Sequence, residues 1–192
     1  MTATAKNPSA HAAHKVGRVV VPRDRIADRV GELGRQITED YRGREMTILA
    51  VMNGAAVFLA DLIRRLPLAM RLETTTARSY RGRATAPGGL TLADLQADAF
   101  AGRHILVVDD ILDTGQTLQT LLGRLSAFSP ASTAVCVLLR KARPTLPPPV
   151  DVRYVGFDIA DEFIVGYGLD HDDLHRNLPD LCVLHGDAEG LP

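Results

Sequence analysis

Near its start the chain has apolar residues three or four positions apart, the spacing of one helix face. This pattern predicts a helix with Asp24 as its N-cap and with its end at Gly43. The apolar positions on its face are Ile26, Val30, Leu33, Ile37 and Tyr41.

Two short apolar runs then each lead through a turn into another amphipathic segment. "MTILAVMNG" precedes "AAVFLADLIRRL", and Ile105 to Val108 precede a helix pattern that begins at Leu118. Further strands are predicted in "STAVCVLLRKARP" and from Tyr154 to Ile159. Strands that are apolar throughout and alternate with amphipathic helices are typical of a parallel sheet covered on both faces, so we predict an α/β fold.

Polar residues follow two of these strands. Asn53 and Gly54 come after the first, and Asp109 to Thr117 come after the second. Because ligands of parallel sheets collect at the carboxyl ends of the strands, both stretches are predicted to lie at a binding edge.

Two regions lack a core-forming pattern. Residues 1–17 are rich in Ala, Thr and His without periodicity, which predicts a flexible tail before a single domain at 18–192. Residues 74–103, with "APGG" inside them, form a long irregular connection. Such connections are often functional, so we interpret this one as a mobile lid loop, with a simple hairpin as the alternative.

Composition narrows the classes of partner. The 22 basic and 23 acidic residues leave no broad positive field for nucleic acid. No apolar run reaches the roughly 20 residues that span a bilayer, and the first residues lack the apolar centre of a secretory signal. We therefore expect a cytoplasmic protein with a small-molecule partner, whose cysteines, Cys136 and Cys182, are buried reduced thiols.

The segment "ILVVDDILDTGQTL", residues 105–118, carries the most specific chemistry. Asp109, Asp110 and Asp113 offer carboxylates that can accept hydrogen bonds from sugar hydroxyls, bind a divalent cation or take a proton. The following residues 114–117 lie where a helix begins, so their backbone N–H groups can bind a phosphate. A ribose phosphate fits both halves, whereas capping acids of an ordinary helix would need no ligand.

Other families use similar pieces. A response-regulator receiver domain begins with a strand resembling "ILVVDD", but more than 100 residues precede the motif here and no lysine follows Lys141. The phosphate loop of nucleotide hydrolases and the glycine fingerprint of dinucleotide-binding folds are both absent from the sequence.

The motif "VVDDILDTGQTL" resembles the phosphoribosyl pyrophosphate binding motif of type I phosphoribosyltransferases. Other segments resemble the hypoxanthine-guanine branch in the order that family shows, over roughly residues 20 to 184: "VMNGAAVFLADLIRRL", Ser79-Tyr80, "VCVLLRKARP" and "VRYVGFDIADEFIVGYGLDHDDLHRNLP". The resemblance implies the type I fold, with a small hood subdomain built from the chain ends and a lid, and a homodimer or homotetramer.

The resemblance also implies a reaction. A 6-oxopurine, hypoxanthine or guanine, displaces pyrophosphate from phosphoribosyl pyrophosphate through a transition state with oxocarbenium character, giving IMP or GMP. Mg²⁺ bound to the pyrophosphate helps it leave.

Residue roles follow from the resemblance at the sugar-phosphate end. Asp109 and Asp110 match the pair that meets the ribose hydroxyls and Mg²⁺, and Asp113 matches the general acid/base for the purine N7 proton. The residues that match the grip on the 5′-phosphate are Asp113, Thr114, Gly115, Gln116 and Thr117. Ser79 and Tyr80 match the lid, which excludes water from the reacting centre.

At the base and pyrophosphate end, Lys141 matches the lysine that donates to purine O6. A protonated amine cannot accept a hydrogen bond from the amino group of adenine. Phe163 matches the aromatic residue that stacks on the base, and Ile164 the residue whose backbone reads its edge. Asp170 matches a ligand of a second Mg²⁺, and Arg176 a contact to pyrophosphate.

The pyrophosphate loop departs from the family pattern. It reads Met52-Asn53-Gly54, where the family usually has Leu-Lys-Gly and uses backbone groups next to a cis peptide. The lid reads Arg78-Ser79-Tyr80-Arg81 instead of Ser-Ser-Tyr-Gly. Two alternatives stay open: a transferase for another base, such as xanthine or a pyrimidine, and a regulator that binds phosphoribosyl pyrophosphate without catalysis.

Overall fold

A computed structural model describes residues 15–79, 90–92, 95–142 and 150–185. Most of the predicted tail and the centre of the predicted lid lie outside the described residues. The strands are β1 (Lys15–Val21), β2 (Met46–Met52), β3 (Met70–Ser79), β4 (Leu90–Leu92), β5 (His104–Leu112), β6 (Ser132–Lys141), β7 (Tyr154–Ile159), β8 (Ile164–Val165) and β9 (Leu181–His185). The helices are α1 (Arg23–Asp40), α2 (Ala56–Ile63) and α3 (Gln116–Ser126), with a 3₁₀ turn at Ala97–Ala99.

The larger sheet has the strand order β4-β3-β2-β5-β6-β7. Five of its strands, β2, β3, β5, β6 and β7, are parallel, and β4 pairs antiparallel with β3. The predicted α/β fold with a mostly parallel sheet is thus confirmed, and β5, the strand of the acidic motif, lies inside the sheet between β2 and β6.

Each face of this sheet is covered by apolar side chains. On one face α1 and α2 pack through residues such as Ile26, Leu33 and Phe58. On the other, Leu118 and Leu121 of α3 pack with Phe100. The alternate residues of β5 contribute to the two clusters in turn, which is why the strand is apolar at every position from Ile105 to Val108.

The chain ends form the predicted hood, a three-stranded antiparallel sheet in the order β1-β9-β8. β1 begins at Lys15, which pairs with His185, so residues 15–17 belong to this sheet and not to the predicted tail. Pairing with β9 is a long-range contact that local composition does not encode.

Helix α1 begins two residues earlier than predicted, because Pro22 and not Asp24 precedes its first residue. Arg23 is its first residue and Pro22 precedes it in an extended conformation, so Asp24 lies in the first turn and is not the N-cap. The backbone N–H of Arg23 instead donates to Oδ1 of Asp180, the residue before β9, at 2.8 Å. Proline suits the start of a helix because it has no N–H to leave unpaired there.

The predicted lid is partly regular structure. Its first residues, 74–79, continue β3, and β4 pairs with β3 antiparallel, as in the hairpin alternative. Its last residues include Phe100, which is buried in the core. Any lid is therefore confined to a shorter stretch than predicted. Strand β5, which follows this region, also differs from the prediction, because it extends beyond Val108 to Leu112.

Both cysteines are buried free thiols, as expected, and burial raises the pKa of the Cys136 thiol above its usual value. In the part of the chain that the structure describes, no helix combines the length and apolar character needed to cross a membrane.

Two glycines give opposite expectations for stability. A Cβ on Gly123, exposed on α3, would meet nothing within 4 Å, so Gly123→Ala should raise the free energy of unfolding by about 0.5–1 kcal/mol. A Cβ on Gly156 in β7 would overlap the carbonyl oxygen of Leu138, so Gly156→Ala should lower it by about 1–3 kcal/mol. Urea unfolding of both variants measures this. An unchanged or higher stability of Gly156→Ala would contradict the close approach of β6 and β7, and a lower stability of Gly123→Ala would contradict the open position on α3.

Candidate active site at the carboxyl edge of the sheet

The carboxyl ends of β2, β5, β6 and β7 meet along one edge of the larger sheet, because these strands are parallel neighbours. Asn53 follows β2, Asp113 follows β5, Lys141 ends β6 and Phe163 lies beyond β7. A cavity of about 320 Å³ opens at this edge. The fold thus brings together segments that are far apart in the sequence.

Asp109 and Asp110 lie inside β5 and line the cavity. Asp109 is only 6% exposed, and it accepts a hydrogen bond from the backbone N–H of Asp110 at 2.9 Å. Burial raises the pKa of Asp109 well above its usual value, and the charge of Asp110 adds to the shift. Burial also raises the pKa of Asp110. A cation or hydroxyl donors at this pair would therefore stabilise its charged form.

The start of α3 provides a site for an anion. Thr114, Gly115 and Thr117 line the cavity next to Asp113. Gly115 has φ 75°, a left-handed conformation that glycine adopts without steric cost, and α3 begins at the next residue, Gln116. The first N–H groups of a helix lack acceptors within it and carry partial positive charge, so they suit a phosphate.

The turn after β2 packs against the acidic pair. Its Met52-Asn53 peptide bond is cis, as the resemblance implies, and Asn53 and Gly54 both line the cavity. A Cβ on Gly54 would overlap the carboxylate of Asp110. Only glycine therefore allows this turn to approach Asp110 so closely.

Asp170 and Arg176 lie in the loop between β8 and β9, residues 166–180, and Arg176 holds this loop together. It donates to the carbonyl oxygen of Gly168 at 2.8 Å, and its guanidinium lies 2.8 Å from Asp170 Oδ1. A Cβ on Gly168 would overlap the carbonyl oxygen of Gly54, so this loop also packs on the turn after β2. Asp170 and Arg176 line the same cavity as the acidic pair of β5.

Lys141 lies between two carboxylates. Its Nζ is 3.7 Å from Asp113 Oδ2 and 3.0 Å from Asp161 Oδ1, and the side chain is 12% exposed. Sequence reasoning did not select Asp161. It lies two residues before Phe163, but no spacing rule relates it to Lys141 on another strand.

Phe163 and Ile164, the residues predicted to contact the base, lie just after Asp161 in the chain. The Phe163 side chain is 49% exposed, and its ring meets that of His171 edge to face, with centroids 5.1 Å apart. Ile164 is buried in β8, where it pairs with Val183. Phe163 therefore offers an accessible aromatic face, as stacking on a base requires.

Most of the predicted site residues line the one cavity, together with apolar positions such as Val51 and Ile111 that sequence reasoning did not select. Lys141, Phe163, Ile164 and Gln116 are not among its lining residues. The side chain of Ser79 and all of Tyr80 lie outside the described residues. The predicted lining residues are Asn53, Gly54, Asp109, Asp110, Asp113, Thr114, Gly115, Thr117, Asp170 and Arg176.

The charged side chains around the cavity suit an anionic ligand that is bound as a complex with a cation. Four carboxylates and one guanidinium line it, so an anionic sugar phosphate alone would be repelled. Among the described residues no three His, Cys, Asp or Glu side chains form a closed metal site. Mg²⁺ usually binds one or two carboxylates and takes its other ligands from water and substrate phosphates. The adjacent pair Asp109 and Asp110, or Asp170 by itself, fits that mode.

Comparison with known proteins gives consistent matches. Residues 22–172 match the model of the phosphoribosyl transferase domain. The chain is 42% identical to the hypoxanthine-guanine phosphoribosyltransferase of Mycobacterium avium, over 83% of this chain and 81% of that protein. It is 40% identical to the hypoxanthine phosphoribosyltransferase of Escherichia coli K12, over 84% and 91%. The crystal structure of a hypoxanthine phosphoribosyltransferase from Staphylococcus aureus superposes with a TM-score of 0.81 at 30% identity, covering 92% of this chain and 95% of that one.

Proposed function

Because the chain belongs to the phosphoribosyltransferase family, we propose that it transfers the phosphoribosyl group of phosphoribosyl pyrophosphate to hypoxanthine or guanine. The products are IMP or GMP and pyrophosphate, and the reaction is a step of purine salvage. The proposed enzyme works in the cytoplasm as a homodimer or homotetramer.

The position of Asp113 carries the proposal. Its carboxylate lines the cavity and lies 3.7 Å from Lys141 Nζ, so a group that can take a proton is next to an ammonium that can donate to a purine carbonyl. A protein that only bound the sugar phosphate would need neither group.

In the proposed reaction, a purine nitrogen forms the bond to ribose C1 while the bond from C1 to the pyrophosphate oxygen breaks. The carboxylate of Asp113 takes the proton that the purine loses. The first turn of α3 holds the 5′-phosphate through backbone N–H groups, and Asp109 and Asp110 hold the ribose hydroxyls. Their negative charge also favours the positive charge that develops on the ribose ring.

At the other end of the cavity, the turn at Asn53 and Gly54 and the side chain of Arg176 hold the pyrophosphate. Asp109, Asp110 and Asp170 would hold Mg²⁺, whose charge helps the pyrophosphate leave. Lys141 donates to O6 of the base, Phe163 stacks on its face, and the backbone at Ile164 reads its edge. Ser79 and Tyr80 belong to the proposed lid.

A panel of bases tests this proposal. The protein is incubated with Mg²⁺, phosphoribosyl pyrophosphate and one base at a time: hypoxanthine, guanine, xanthine, adenine or uracil. We expect monophosphate with hypoxanthine and guanine, and none when Mg²⁺ is removed with EDTA. Product with xanthine or uracil alone would support a transferase for another base, and product with adenine but not hypoxanthine would overturn the role of Lys141.

Asn53 stands in the pyrophosphate turn where the family usually has a lysine, and it is exposed and lines the cavity. Asn53→Lys adds an ammonium beside the proposed diphosphate, so we expect the KM for phosphoribosyl pyrophosphate to fall about two- to fivefold, an effect that added salt weakens. Asn53→Gln is the control, since it has a longer but neutral side chain. Equal KM values for the two variants would show that charge at this position has no part in binding.

A further inference from the structure

Asp161 faces the Lys141 ammonium across the carboxyl ends of β6 and β7. The 3.0 Å separation from Nζ to Oδ1 is a hydrogen-bonding distance, whereas the 3.7 Å to Asp113 Oδ2 is longer than a hydrogen bond. Asp161 is therefore the carboxylate that fixes the direction of the ammonium. Asp113, at the longer distance from Nζ, lines the cavity.

We propose that Asp161 is a positioning residue for base recognition, which holds the Lys141 ammonium beside Asp113 so that a remaining N–H meets a 6-oxo group. This inference rests on the proposed function, because it assigns Lys141 to the base. It adds a residue whose side chain need not touch the base itself.

A lysine needs such a partner because its stem is flexible. The side chain carries about 2 kcal/mol of rotamer entropy, much of which would be lost on binding each base molecule. A carboxylate that already holds one of the three N–H donors restricts the stem before the base arrives, so less is lost on binding. The 12% exposure of the Lys141 side chain is consistent with a restricted conformation.

The two residues that follow Asp161 are held by contacts with the hood sheet. The next residue, Glu162, forms an ion pair with Arg18 of β1 at 2.5 Å. The carbonyl oxygen of Phe163 accepts a hydrogen bond from the N–H of Leu184 in β9 at 2.8 Å. The hood sheet thus fixes the short segment 161–163, and with it both Asp161 and the aromatic ring proposed to stack on the base.

Specificity follows from this arrangement. A fixed ammonium offers only donors at the position of the 6-substituent, which suits a 6-oxo group and opposes a 6-amino group. A lysine free to swing away would oppose the amino group less. Loss of Asp161 should therefore weaken binding of hypoxanthine and also reduce the preference for hypoxanthine over adenine.

Asp161→Asn tests the inference, and Asp158→Asn is its matched control. Asp158 pairs with Arg140 at 2.6 Å across the same two strands, so its loss removes a neighbouring ion pair of the same kind without touching Lys141. For Asp161→Asn we expect the KM for hypoxanthine to rise about three- to tenfold, with the KM for phosphoribosyl pyrophosphate and the thermal midpoint close to those of Asp158→Asn. Asp161→Glu, which restores the charge, should recover part of the change.

The outcomes separate the two proposals. Absence of transfer by the unmodified protein would defeat the proposed function and not this inference alone. Transfer by the unmodified protein, with Asp161→Asn matching Asp158→Asn in KM for hypoxanthine and in the hypoxanthine-to-adenine ratio, would overturn the role of Asp161. So would an equal rise in the KM of both substrates, since that indicates a general structural defect.

Discussion

Asp113→Asn is expected to lower kcat by about 10²–10⁴-fold and to leave the KM values for both substrates within a few-fold of their original values. The amide has nearly the same shape as the carboxylate but cannot take a proton from the purine. The effect should therefore fall on the chemical step, because the cavity around position 113 keeps its form.

Steady-state kinetics with hypoxanthine measures kcat and the KM values. Calorimetric titration with phosphoribosyl pyrophosphate and Mg²⁺ measures binding separately from turnover. Asp98→Asn is the control for loss of one carboxylate, because Asp98 lies on the 3₁₀ turn and does not line the cavity. A kcat for Asp113→Asn within threefold of the control would remove Asp113 from proton transfer.

Gly54→Ala is the second substitution with a large expected effect. The added methyl group would overlap the Asp110 carboxylate, which lines the cavity and is held by the backbone N–H of Ile111 at 2.8 Å. Either the carboxylate or the turn after β2 must move. Because displacements of about 1 Å in an active site cost about 10²-fold, we expect kcat/KM for phosphoribosyl pyrophosphate to fall by about that factor.

The control for this prediction is Gly123→Ala, the same chemical change at an open position of α3. It should retain full activity while Gly54→Ala loses it, and circular dichroism should show both variants folded. If Gly54→Ala keeps activity within threefold of Gly123→Ala, the close packing of the turn on Asp110 has no role in catalysis.

The sequence predicts the core of this fold well because its signals there are local. The apolar runs of β2, β5 and β6 and the stripe of α3 are each set by neighbouring residues, and the structure confirms them. The acidic motif also has a local meaning: a buried strand, its carboxylates and a helix start follow one another between residues 105 and 118. Parallel strands then bring Asn53 to the same edge without further information.

What the sequence did not predict depends on contacts between distant segments. The N–H of Arg23 donates to Asp180, and Lys15 pairs with His185, so the first residues of α1 and of β1 are both fixed by contacts with the other end of the chain. Asp161 escaped notice for the same reason, since its partner Lys141 lies on a neighbouring strand. The overlap that requires glycine at position 54 involves Asp110 and is visible only in three dimensions.

The proposed activity requires that this chain moves a phosphoribosyl group and does not only bind its donor. Phosphorus NMR of the protein with Mg²⁺, phosphoribosyl pyrophosphate and hypoxanthine measures this directly. We predict one pyrophosphate released for each IMP formed, with the donor stable when hypoxanthine is left out. A donor that binds but is not consumed in the presence of the base would contradict the claim and favour a regulator.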